Sequence, residues 1–146
     1  MDHPAPVSAC HCLALRQASR RLTQHYDQHL APTGLRTSQY GLLRGLARVG
    51  PISINGFAEI MVMDRTTMGR ALHPLTRDGL IAAGPGRDGR TRSLTLTAAG
   101  RDRMEEALPF WERAQRTFED SYGAAPATDL RRAALSLARS GLSAAG

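Results

Sequence analysis

The chain contains no lysine: all 19 of its basic residues are arginine, set against 13 acids, which gives a formal charge of +6 over 146 residues. Cysteine is nearly absent too. Cys10 and Cys12 are too few and too close for a disulfide framework, so a reducing cytosol is the expected setting. No stretch approaches the ~18 consecutive apolar residues of a membrane helix. The opening Met1-Asp2-His3-Pro4-Ala5-Pro6 lacks the cationic start and apolar run of a secretory signal. A soluble cytoplasmic protein without a membrane partner is therefore expected. The chain also has no phosphate-binding glycine loop, no nucleophile elbow and no carboxylates grouped around an apolar pocket, which argues against an enzyme and implies no cofactor. The arginine excess points toward a polyanion, nucleic acid or an anionic membrane surface, and by itself selects neither.

The length suits a single domain, residues 1–146. Residues 8–30 carry a helical pattern, with Cys12, Leu15, Ser19, Leu22 and Tyr26 on one face. Ala31-Pro32-Thr33-Gly34 breaks it, and a second helix is expected from Thr37, acting as its cap, to Val49. Ser53 should cap a short helix that buries Phe57, Ala58, Ile60 and Met61. Asp64 should cap the next, which Gly79 stops near Asp78. Leu80–Ala83 and the alternating Arg92–Thr97 then read as two strands of a hairpin. Thr97 caps a long helix with Met104, Leu108, Trp111, Gln115 and Phe118 on one stripe, and a last helix carries Leu130, Ala134, Leu137 and Ala138. The fold class is mostly α with a small β-hairpin.

On the helix 64–79, Met68, Leu72 and Leu75 form the inner face. Thr66, Arg70, His73 and Arg77 lie opposite, flanked by Thr67 and Gly69, with no acid among them. Hydroxyls, guanidinium groups and little bulk are what a helix needs to enter a major groove. The hairpin tip that follows holds Arg87, Asp88, Arg90 and Arg92 among glycines. Arginine on such a tip can enter a narrow minor groove, drawn by its negative potential. Asp88 is placed to hold the Arg90 guanidinium extended. Pro74 should kink the helix near residues 70–74, since proline inside a helix costs about 3 kcal/mol.

The runs Asp64-Arg65-Thr66-Thr67-Met68-Gly69-Arg70, Asp78-Gly79-Leu80-Ile81, Asp88-Gly89-Arg90 and Leu94-Thr95-Leu96-Thr97, with Leu75 and Gly100, resemble the signature of the MarR family. The resemblance covers nearly the whole chain. It implies a winged helix-turn-helix lobe over residues 35–97, with dimerisation helices at 8–34 and 98–146. It further implies a homodimer on a pseudo-palindromic operator in double-stranded DNA, and most often repression. By position, Arg65, Thr66, Thr67 and Arg70 would serve the major groove, Arg90 the minor groove, and Arg87 a second wing contact.

Regulators of this kind usually release DNA when a small molecule, often a phenolic or aromatic acid, enters a cleft between dimerisation helices and winged lobe. Arg16, in a cleft with Leu15, Ser19, Tyr40 and His11, can pair bidentately with a carboxylate, so a small aromatic acid is the expected ligand. An intersubunit or surface ion pair is the competing role for Arg16. A second route is redox. Cys12, Tyr26 and Tyr40 resemble positions of the organic-hydroperoxide-sensing branch, but Arg16 and Thr37 stand where that branch has further tyrosines. Arg16 beside Cys12 would favour the thiolate that oxidants attack; filling core space is the plainer role for that thiol. Cys10, His11, Cys12, His25 and His29 crowd the same segment, but the two cysteines point to different sides of a helix, and no metal is expected.

Overall fold

The computed structural model describes residues 9–86 and 88–142, so Arg87, the opening Met1–Pro6 and the tail Ser143–Gly146 lie outside the described residues. Helix α1 spans His11–Leu30, with the Cys10 sulfur accepting the Leu13 N–H at its start. A 3₁₀ turn, Ala31–Thr33, leads through Gly34 in the left-handed region to α2, Thr37–Val49. The strand β1 (Ile52–Ser53) runs directly into α3 (Ile54–Ile60), and α4 follows at Arg65–Arg77. Strands β2 (Ile81–Pro85) and β3 (Arg92–Leu96) lead to the long α5 (Ala98–Tyr122) and to α6 (Ala124–Ala138).

The sheet has three antiparallel strands in the order β1-β3-β2. Ile52 opposes Leu94 on one side of β3, and Ala83 opposes Leu94 on the other. The expected hairpin is therefore one strand short. Two residues are too brief to show a period, so β1 has no sequence signal of its own.

Leu43, Phe57, Met68, Leu75 and Ile81 are sealed into one core with Ala107 of α5. Burying each large apolar side chain contributes about 1.5–3 kcal/mol, which is why the short α3 and α4 hold their places. Along α5 the buried positions are Gly100, Ala107 and Ala114, whose small size lets neighbouring backbone approach. His25 of α1 donates from Nε2 to the Ala114 carbonyl at 2.9 Å, and the Tyr26 hydroxyl donates to Gln115 Oε1. Two expected inner positions sit outside: Ile60 is 53% and Leu108 39% exposed. Both stand at the margin of an apolar stripe, which helical spacing alone does not resolve.

Thr37 does not cap α2. Arg36 occupies the cap position, its N–H taken by Gln39 Oε1, and Asp27 reaches across from α1 to accept the Thr37 N–H at 2.7 Å. Helix α4 continues through Pro74, so the expected kink does not break it. The proline leaves the Arg70 carbonyl without its helical donor, and Arg70 is exposed, so water can serve instead. In the turn between α3 and α4, Val62 adopts φ +55, a left-handed conformation costing a branched residue about 1–2 kcal/mol. No helix among the described residues is long and apolar enough to cross a membrane.

Candidate nucleic-acid interface and effector groove

Helix α4 owes its orientation to Met68, Leu72 and Leu75, each no more than 4% exposed. Arg65, Thr66, Thr67 and Arg70 consequently face solvent on its first two turns. Gly69 lies between them, and a Cβ there would meet nothing within 4 Å, so the helix presents a shallow depression to whatever docks. The start is fixed by Asp64, whose Oδ1 accepts the Thr67 N–H at 2.7 Å. Its Oδ2 accepts the Thr67 hydroxyl at 2.8 Å. These bonds, the backbone one foremost, hold the Asp64 carboxyl below its usual range. They also spend the single hydrogen of the Thr67 hydroxyl, which leaves that side chain its lone pairs and methyl group. Thr66 and Arg70, one turn apart, remain open donors, as does Arg65 at the helix start.

The wing tip is shaped by a different aspartate. Asp88 Oδ1 accepts the backbone N–H groups of Arg90 and Thr91, each at 3.0 Å, and Oδ2 accepts the Thr91 hydroxyl at 3.1 Å. Asp88 thus holds Arg90 by its backbone, not by the guanidinium as expected from the spacing. The carboxyl is held below its ordinary value by those bonds, led by Thr91. Gly89 at φ +73 completes the turn, and the Gly86 N–H to Thr91 carbonyl bond closes its base. Among the described residues the one ion pair is Arg77 to Asp78, so Arg65, Arg70 and Arg90 carry no carboxylate partner there.

The residues expected around an effector are brought together only in part. Arg16 and Ser19 line a shallow surface groove of about 480 Å³ with Cys12, Leu15 and Arg20. Leu15 and Ser19 also border a groove of about 420 Å³ walled by Ala18, Leu22, Thr23, Tyr26 and Thr37, and by Leu130 and Ala134 of α6. His11 is exposed at the start of α1. Tyr40 is not with them: it is 2% exposed in the core, its ring centroid 6.1 Å from that of Trp111. Burial pushes the Tyr40 hydroxyl pKa up, and nearby Arg44 opposes that shift. The Arg44 guanidinium lies 4.5 Å from the Trp111 ring centroid and 5.8 Å from that of Tyr40. Arg44 was legible as the i+4 neighbour of Tyr40; Trp111, from a distant helix, was not.

Cys12 is exposed, not packed in the core, and Cys10 is exposed as well. His25 and His29 each commit a ring nitrogen to a backbone carbonyl, at 2.9 Å in both cases. Among the described residues no three His, Cys, Asp or Glu side chains gather as metal ligands would.

Residues 33–91 match the MarR family profile. The fold is that of the Mycobacterium tuberculosis transcriptional regulator MosR in complex with DNA. That chain is 32% identical, with a TM-score of 0.79, over 89% of this chain and 94% of that one. A probable transcriptional regulator from Pseudomonas aeruginosa is 25% identical at TM-score 0.79, over 89% of this chain and 98% of its own. In Bacillus subtilis (strain 168) the helix-turn-helix-type transcriptional regulator YwoH is 26% identical over 92 residues, 63% of this chain and 67% of that protein. With the buried-inside, arginine-outside helix α4 and a wing behind it, the chain belongs to the MarR family and is a winged helix-turn-helix DNA-binding transcriptional regulator.

Proposed function

We propose that the protein acts as a homodimeric repressor that grips a pseudo-palindromic operator and is released by a small aromatic carboxylate or phenol. The observation that carries the DNA part is the outer face of α4, where Thr66 and Arg70 stand open opposite the sealed Met68, Leu72 and Leu75. Thr66 and Arg70 read base edges in the major groove, and Arg65 sits at its rim. Thr67 sets the helix start and offers its methyl. Arg90 enters the minor groove, with Arg87 as a further wing contact.

The dimer reading rests on uncovered apolar surface. Leu15 of α1 is 45% exposed, Tyr122 of α5 52%, and Leu135 and Leu137 of α6 45% and 44%. Residues 8–34 and 98–146 serve as the dimerising arms of the single domain, and 35–97 as its DNA-binding lobe. Partly buried rows of this kind suit a second copy that completes them.

The effector reading rests on Arg16 beside Ser19 and on the apolar groove next to them. Regulators of this fold answer to related chemistry: CouR of Rhodococcus jostii RHA1 binds p-coumaroyl-CoA, and the DNA binding of Bordetella bronchiseptica BpsR is regulated by 6-hydroxynicotinic acid. At 18% and 22% identity these two share the fold alone. His11 and Arg16 supply positive or donor groups for a carboxylate, and Ser19 a hydroxyl.

A second reading is favoured by the exposure of Cys12, one turn from Arg16: oxidation of its thiol releases the operator instead. One titration separates them. Fluorescence anisotropy on DNA flanking the protein's own gene, with a panel of aromatic acids and with an organic hydroperoxide, reads release directly. Release by an acid regardless of reductant supports the ligand reading; release by peroxide alone, absent in Cys12→Ser, supports the redox one. Binding that neither agent changes would remove both.

A further inference from the structure

Val62 is at odds with its place in the fold. It follows the last turn of α3, where Met63 N–H bonds to the Ala58 carbonyl at 2.8 Å and Val62 N–H to the Glu59 carbonyl at 3.2 Å. That closing pattern needs a left-handed residue, which Val62 supplies at φ +55. Glycine takes this conformation without penalty, whereas a β-branched side chain resists it. Nor does the core gain from the side chain, since Val62 is 68% exposed. The fold alone favours glycine here, so the use of the isopropyl group lies outside the chain.

Its location names the partner. Val62 stands two residues before Asp64, the cap of α4, so its Cα lies within about 8 Å of that cap along the chain. Helix-turn-helix proteins place the N-terminal residues of the second helix against base edges. An isopropyl group has neither donor nor acceptor and gains nothing from phosphates. The apolar group on the major-groove edge is the C5-methyl of thymine. We propose that Val62 is a specificity-determining residue that packs on a thymine methyl beside the N-terminus of α4. This rests on α4 being the helix that enters the major groove.

The test uses the full-length protein and duplexes that the wild type selects from a randomised pool, with each thymine replaced in turn by deoxyuridine. That substitution removes the methyl and keeps the pairing. At one symmetric position the wild type should lose about fourfold in affinity per half-site, the worth of one apolar carbon. Val62→Gly should bind the parent duplex weaker by the same factor and lose nothing further at that position, while melting no lower than wild type. Val62→Ala should fall between. Parent-duplex affinity unchanged in Val62→Gly, or equal losses for both proteins at every deoxyuridine, would overturn the proposal. Arg70→Ala serves as the reference: if it loses affinity while Val62→Gly does not, only the valine contact falls. If neither loses affinity, the assignment of α4 falls with it.

Discussion

The Thr97 hydroxyl donates to the Gly79 carbonyl at 2.7 Å, joining the residue that opens α5 to the one that ends the α4 turn. The same oxygen accepts the Gly100 N–H at 3.0 Å, and the Thr97 N–H donates to the Leu80 carbonyl at 3.1 Å. One side chain therefore ties the turn that follows α4 to the first turn of α5.

Thr97→Val keeps the shape and removes both hydroxyl bonds. Losing a helix cap costs about 0.5–2 kcal/mol, so the thermal melt followed by circular dichroism should shift down, and Thr97→Ser should restore most of it. A valine variant melting with the wild type would show that the junction is held by packing alone.

Two glycines should respond in opposite ways to alanine. A Cβ on Gly100 would overlap the Leu80 carbonyl oxygen and crowd Leu96, so α5 must move off the sheet. Overpacking of this kind costs about 1–3 kcal/mol. Gly69 meets nothing, so alanine there should stabilise α4 by about 0.5–1 kcal/mol. The same methyl fills the depression on the outer face, so operator affinity should drop while the melting temperature rises. A Gly69→Ala protein that gains stability and keeps its affinity would mean that this face does not press against DNA.

Asp88 predicts a pH response confined to acid. Its hydrogen bonds lower the folded pKa below the ordinary value of 3.8, so the turn is favoured in full above that value. The contribution fades as pH falls through the lower, folded pKa. Amide resonances of Arg90 and Thr91 should therefore hold steady through neutral pH and move together only in strong acid. In Asp88→Ala they should already be displaced at pH 7. Coincident spectra for the two proteins would show that Asp88 does not order the tip.

The helices were legible because their buried residues repeat at three and four, and because Asp64, Ser53 and Thr97 are caps whose partners lie three residues on. Gly79 was legible as a left-handed stop. What the sequence hid depends on distance along the chain. Asp27 caps α2 from ten residues away, and Tyr40 leaves the expected effector cleft because Trp111 of α5 covers it. Asp88 had two donors within reach, and spacing alone does not say whether a guanidinium or an amide will win. The backbone N–H groups of Arg90 and Thr91 are already fixed by the tight turn, so bonding them costs less side-chain entropy than pinning an arginine.

Arg90 gives the sharpest test of the wing. Its backbone is fixed by Asp88, and among the described residues its guanidinium has no acidic partner, so ordering it on DNA breaks no internal ion pair. Each phosphate charge neutralised contributes about −0.9 to the slope of log affinity against log salt. In a dimer Arg90→Ala removes two such charges, so the slope should flatten by about 2 and affinity should fall most at low salt. Arg70→Ala should differ in kind: if it reads a base edge, discrimination between operator and random duplex should shrink. Footprinting of the wild type should show two half-sites about 10 bp apart. An Arg90→Ala protein with the wild-type salt slope would take the wing out of DNA binding and leave α4 to carry it alone.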